Sequence, residues 1–111
     1  MNQTYTSLLP DQKLKIHIHK GIKSLLYTTG FTEAQEEFQK AKTLAYEIFK
    51  LNPIKIVTIL NTISEYLINE GHSEEASKYL SESLSQIISI PDQNLQEILI
   101  LYNNIGNFFS L

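Results

Sequence analysis

Thr32-Glu33-Ala34-Gln35-Glu36-Glu37-Phe38-Gln39-Lys40-Ala41 is the stretch on which the reading of this chain turns, because a variant of it returns further on as Glu75-Ala76-Ser77-Lys78-Tyr79-Leu80-Ser81-Glu82-Ser83. Ala34 and Ala76, and Phe38 and Leu80, are each 42 residues apart. Both copies open on a glycine, Gly30-Phe31-Thr32 and Gly71-His72-Ser73. Self-similarity at such a period is the mark of a repeat architecture, in which one unit buries its apolar face against the next. Thr32 and Ser73 are expected to cap the two helix starts, with Gln35 closing a capping box on the first. Glu74 and Glu75 suit the positive end of the second.

The recurrence extends outward. Ile18, Ile22, Leu25, Leu26 and Gly30 reappear as Ile59, Ile63, Tyr66, Leu67 and Gly71, an offset of 41. Ile59, Leu60, Asn61, Ile63, Ser64, Tyr66 and Leu67 then reappear as Leu101, Tyr102, Asn103, Ile105, Gly106, Phe108 and Phe109, an offset of 42. The single-residue difference falls in a turn between helices, where length is least constrained.

From about residue 12 to the end, the chain resembles the tetratricopeptide-repeat family at its longer repeat spacing. Gly30, Ala34, Phe38, Gln39, Lys40 and Ala41 carry the resemblance, then Leu51-Asn52-Pro53, then Gly71, Glu75, Ala76 and Leu80, and finally Tyr102 to Asn107. Lys23 and Ser64 stand where the family has a small packing residue, Ser83 replaces a second one, and there is no tryptophan. The resemblance implies an all-α fold of antiparallel helix pairs in a right-handed superhelical stack, here about five helices or two and a half repeats. The long repeats and asparagine-rich inner helices also resemble the repeat domain of peptide-sensing regulators of Gram-positive bacteria and their phages or plasmids.

Composition bounds the function. The 111 residues are 42% hydrophobic and 19% charged, with four glycines and three prolines, which places the chain among folded domains rather than disordered ones. A net charge of −3 argues against a general binder of phosphate backbones. Without cysteine there is no disulfide, thiolate zinc site or thiol nucleophile. Residues 1–11 have neither the basic start nor the apolar run of a signal peptide, and no stretch approaches the ~20 apolar residues of a membrane span. A cytoplasmic protein is the expectation.

In chain order, residues 1–10 read as a polar tail and 11–111 as a single helical domain. Helices are predicted over 11–28, 33–51, 53–70, 74–89 and 92–110, with turns near Gly30, Asn52, Gly71 and Pro91. Leu14, Ile18, Ile22, Leu25 and Leu26 form the expected buried stripe of the first. Gly21 weakens that helix by ~1 kcal/mol relative to alanine, which suggests a close helix approach there. The third is rich in β-branched residues, yet the spacing of Ile56, Ile59, Leu60, Ile63 and Leu67 is helical rather than alternating.

No catalytic constellation is visible. His17 and His19 are two apart and so face different directions on a helix, which disfavours a metal site. The carboxylates of Glu33, Glu36 and Glu37, and of Glu74, Glu75 and Glu82, read as capping and solvated groups rather than acid/base pairs. Neither a phosphate loop nor a nucleophile elbow occurs. No enzyme activity, cofactor or metal is expected.

What the resemblance implies is a concave surface lined by the first helix of each repeat. The matching polar residues include His17 and Thr28, Thr58 and Thr62, and Asn104. The candidate partner-binding set is Lys20, Ser24, Tyr27, Asn61, Glu65, Asn69, Asn103 and Asn107. Asparagine both donates to and accepts from a peptide backbone, so such a face suits an extended peptide. Lys20 is followed one turn later by Ser24, so the lysine-then-asparagine grip of chaperone-binding family members is not reproduced. A solvated polar face explains the same residues equally well. The leading expectation is a non-catalytic protein- or peptide-binding module, a regulatory protein with a concave groove. The alternative is a self-associating structural or inhibitory protein whose apolar terminal helix blocks a partner. For that terminal helix a homodimer interface of Leu101, Ile105, Phe108 and Phe109 is predicted, since apolar surface left in water is unfavourable by ~25 cal/mol per Å².

Overall fold

Prolines and glycines set where the helices begin and end. The computed structural model describes residues 5–27, 30–88, 99–100 and 103–104, all helix, turn or irregular backbone with no strand among them. Four helices run α1 Pro10–Leu26, α2 Phe31–Ile48, α3 Pro53–Asn69 and α4 Ser73–Ile87. Pro10 and Pro53 occupy first-turn positions, where a missing N–H costs nothing. Asn52 caps α3 through its side chain, which accepts from the Lys55 N–H. The α3 terminus closes on Gly71 at φ 83°, with the Gly71 N–H donating to the Ile68 carbonyl and the His72 N–H to that of Leu67. That pairing is the Schellman arrangement, and it needs a residue tolerant of positive φ.

The capping expectations shift by one or two residues. Phe31 already opens α2, so Thr32 lies inside the first turn, and the Ala34 N–H donates to the Gly30 carbonyl. Ser73 is likewise the first residue of α4, preceded by His72, whose side chain makes no cap hydrogen bond. At the second site Gly71 and His72 end α3 so tightly that α4 begins before the Ser73 hydroxyl can sit outside it. At α1 the half of a capping box that forms comes from Gln12, whose carboxamide accepts from the Leu9 N–H at 2.9 Å.

The chain divides into two compact units, 1–48 and 49–111. In the first, α1 packs on α2. Ala34, Phe38, Ala41 and Ala45 form the buried face of α2, as their spacing predicts. On α1 the expected stripe is rotated, because Leu14, His17 and Gly21 are buried whereas Ile18, Ile22 and Leu25 are half-buried and Leu26 is exposed. Gly21 explains the rotation. A Cβ on it would overlap the ring of Phe38, itself 1% exposed, so glycine lets the ring reach the α1 backbone.

In the second unit α3 packs on α4. Ile56, Leu60, Ile63 and Leu67 are buried as read, Ile59 of the same expected face is half-buried, and Val57, Asn61, Ser64 and Ile68 are buried as well. On a helix buried over so wide an arc, the hydroxyls bond to their own backbone, whereas the buried Asn61 Oδ1 has no hydrogen-bond partner among the described residues. Thr58 and Thr62 donate to carbonyls four residues back at 2.9 Å, and Ser64 does so to Leu60 at 2.6 Å. On α4, Ala76, Tyr79, Leu80 and Ser83 face inward. Burial, followed by the charges of Glu75 and Glu82, pushes the Tyr79 phenol well above its usual ionisation range. Of the predicted fifth helix, residues 99–100 and 103–104 are helical, and the remainder lies outside the described residues, as does the turn at Pro91.

Gly21→Ala sets two effects against each other. Helix propensity favours alanine by ~1 kcal/mol, whereas forcing a methyl into a packed ring destabilises by ~1–3 kcal/mol. Phe38 is 1% exposed and its ring has to shift within a packed core to admit the methyl, so the variant is expected to melt lower than the parent. In a Phe38→Leu background the same change should become neutral or stabilising. Equal melting temperatures for Gly21→Ala and the parent would contradict the close approach.

Candidate functional site

The first unit holds the chemistry. His17 occupies the core side of α1, 7% exposed, and a buried imidazole needs partners for both ring nitrogens. It has them. Nδ1 lies 2.7 Å from Oε1 of Glu37 on α2, and Nε2 lies 2.7 Å from the Tyr5 hydroxyl. An ionised carboxylate only accepts, so Nδ1 carries the proton and donates, which in the neutral ring leaves Nε2 to accept from the phenol. The Tyr5 and His17 rings also meet edge to face, 5.7 Å between centroids, and the Lys13 ammonium sits 5.1 Å over the Tyr5 ring. Three segments far apart in sequence are joined by two short hydrogen bonds.

Opposing effects act on Glu37. Partial burial works to raise its pKa, but the hydrogen bond to His17, the charge of Lys40 and the charge of His17 together bring it below its ordinary 4.5. Lys40 lies 3.5 Å from the other carboxylate oxygen. A hydroxyl, an imidazole and a carboxylate in series is also the order found in nucleophilic triads. Here the same order ties the segment before Pro10 to the hairpin.

Two clefts flank this chain of groups. The larger, about 910 Å³, is bounded by Tyr5, His17, Lys20, Lys40, Thr43 and Leu44 among others. The smaller, about 470 Å³, runs between α1 and the start of α2, with Lys20, Lys23, Ser24 and Tyr27 on one wall and Glu33, Glu36 and Glu37 on the other. Lys20, Ser24 and Tyr27, three of the residues singled out from sequence, therefore converge on one cleft. Tyr27 is 65% exposed, unusual for so large a ring.

The remaining predicted positions divide. Glu65 and Asn69 are exposed on α3, and Asn103 is exposed beyond α4. Asn61 is not on an open face: it is 2% exposed, and its backbone carbonyl accepts from the Asn104 side chain at 3.4 Å. The side of α3 that carries Asn61 is covered by the segment that carries Asn104. Asn107 and the predicted interface residues Leu101, Ile105, Phe108 and Phe109 lie outside the described residues.

Sequence reasoning missed Tyr5, placed in a tail, and Glu37, counted among solvated carboxylates. One signal was available. Leu14, His17 and Gly21 follow helical spacing, so the imidazole belonged to a buried stripe and required polar partners from elsewhere. Among the described residues no group of three or more histidines, aspartates or glutamates is placed to hold a metal ion, and no helix is long and apolar enough to cross a membrane. Compared with family models, curated proteins and solved structures, the chain matches none.

His17→Ala removes both short hydrogen bonds and should destabilise the protein by about 2 kcal/mol, the usual scale for a bond to a charged group. Because the Glu37 pKa is lowered in the folded state, its contribution is present above the unfolded value near 4.5 and lost as pH falls through the lower folded value. In urea melts, the stability difference between the parent and Glu37→Gln should be constant near neutral pH and shrink below ~4.5. A difference that grows on acidification would contradict the assignment.

Proposed function

We propose that this is a non-catalytic protein- or peptide-binding module related in architecture to tetratricopeptide repeats, acting as a regulatory protein on a partner held against α1. The observation that carries the reading is the convergence of Lys20, Ser24 and Tyr27 on one cleft, with Tyr27 largely exposed. Exposed tyrosines at the edge of a concave surface are favoured anchors, since they supply a large contact area for little lost side-chain freedom. The cleft's opposing lysine and glutamate walls suit a peptide backbone and mixed side chains. The recurrence at 41 and 42 residues supports the repeat architecture. The cytoplasmic expectation belongs to the same reading.

The test is selection from a random peptide display library, followed by calorimetry on the peptides recovered. Tyr27→Ala should weaken binding roughly thirtyfold, about 2 kcal/mol, without lowering the melting temperature. A library that yields no binder, or binders indifferent to Tyr27, contradicts the reading. Hydrolysis of p-nitrophenyl acetate above background, lost in His17→Ala, would contradict its non-catalytic part.

A second reading has its own observation. Ile88 is 86% exposed and Leu99 60% exposed, so apolar side chains stand in water at and beyond the end of α4. A homodimer through this region, with Leu101, Ile105, Phe108 and Phe109, would cover them. Light scattering after size exclusion should give twice the chain mass. A monomer unaffected by Phe108→Asp would remove this reading.

A further inference from the structure

The two clefts of the first unit differ in charge. Three carboxylates line the smaller, from Glu33, Glu36 and Glu37, opposite its lysines. Among the described residues that line the larger there are none: the charged groups there are Lys20 and Lys40, beside the His17 ring, the Tyr5 hydroxyl, Gln39 and two threonines. Glu37 turns its carboxylate to His17 and Lys40 and is not part of that lining. The contrast is sharper for the chain it occurs in, since the protein as a whole carries a net charge of −3. On α1 there are four lysines against a single aspartate, Asp11.

The geometry of the cleft also limits its occupant. Lys20 is exposed and makes no ion pair among the described residues. Lys40 holds Glu37 only at 3.5 Å, a weak, solvent-screened pair, so an incoming anion can recruit it. Tyr5 is fixed by His17 on one side and Lys13 on the other, which makes it a rigid wall, and Leu44 adds an apolar patch. A cleft of about 910 Å³ is larger than a single inorganic anion needs. Its two cations stand on different helices, which suits successive side chains along an extended segment.

We infer that the cleft bounded by Tyr5, Lys20 and Lys40 receives the acidic side chains of a partner peptide, whose glutamates or aspartates meet the two lysines while its backbone lies along Thr43 and Leu44. This rests on the peptide-binding reading above and assigns it a partner class, an acidic peptide. Lys20, shared by both clefts, joins this anionic subsite to the Tyr27 edge. A nucleic acid fits less well, because two lysines and one ring are few for a phosphate backbone and its stacked bases.

The probe is a fluorescein-labelled oligo-glutamate peptide, followed by anisotropy, with oligo-glutamine as neutral control. Oligo-glutamate should bind, weaken as salt is raised, and lose ~10-fold or more in affinity in Lys20→Glu and in Lys40→Glu. Lys15→Glu makes the same change in net charge on α1 outside both clefts and should leave affinity near that of the parent. Far-UV circular dichroism checks that each variant is folded, and Lys20→Gln and Lys40→Gln serve where a reversal is not.

Equal loss in Lys15→Glu would reduce the effect to overall charge and overturn the subsite. So would inorganic phosphate displacing the peptide at equal anion concentration, or an oligonucleotide binding more tightly than oligo-glutamate. Salt-sensitive self-association abolished by Lys20→Glu, without oligo-glutamate binding, would assign the cleft to a second copy instead. Library peptides that depend on Tyr27 but show no acidic enrichment would overturn the anionic subsite while leaving the peptide-binding reading intact. A library with no binders removes both.

Discussion

The ring of Phe38 rests against the backbone of Gly21, and the first unit is arranged around that contact. Close approach at this point sets the rotation of α1, which turns Leu14, His17 and Gly21 toward α2 rather than the more apolar Ile18, Ile22 and Leu25. With α1 so rotated, an imidazole is placed in the core and has to be satisfied there. Glu37 supplies one partner from α2, one residue before Phe38, and Tyr5 supplies the other from before Pro10. Packing and polar chemistry are thus consequences of one another: remove the glycine, and the histidine loses the geometry that makes its burial tolerable. An unpaired polar group in such a position is destabilising by ~1–3 kcal/mol.

The second unit solves a similar problem in another way. α3 is apolar over most of its circumference, its hydroxyl side chains turn back on their own helix, and the backbone carbonyl of the buried Asn61 accepts from the Asn104 side chain. Little of that helix is left to serve as a polar groove, apart from exposed positions such as Glu65 and Asn69. Among the described residues, long charged side chains line clefts on α1 and α2 instead of folding back.

Much of the architecture was legible from residue spacing, and the reasons are local. Pro53 and Gly71 act on their own backbone neighbourhood, and Ala34, Phe38, Ala41 and Ala45 follow one helical period, so helix order and the buried face of α2 needed no tertiary information, whereas on α4 and at its end the apolar Leu84 and Ile88 are exposed and Ser83 is buried in their place. The β-branched run of α3 was read correctly because period outweighed propensity there. What spacing did not reveal depends on contacts between distant residues. Glu37 becomes a partner of His17 only once α1 and α2 are docked, Tyr5 only once the segment before Pro10 lies against α1, and Asn61 is bonded by a residue more than forty positions away. Ser73 was misplaced for a smaller reason, since the positive-φ Gly71 ends α3 and α4 starts two residues later.

Nuclear magnetic resonance mapping of backbone amides, during titration with an acidic peptide, tests most directly the claim that α1 and the start of α2 form the receiving surface. Shifts are expected to cluster at Tyr5, Lys20, Ser24, Tyr27, Lys40 and Thr43, with the amides of α4 unmoved. Shifts confined to α4, or spread evenly over the exposed lysines including Lys15 and Lys55, would contradict it.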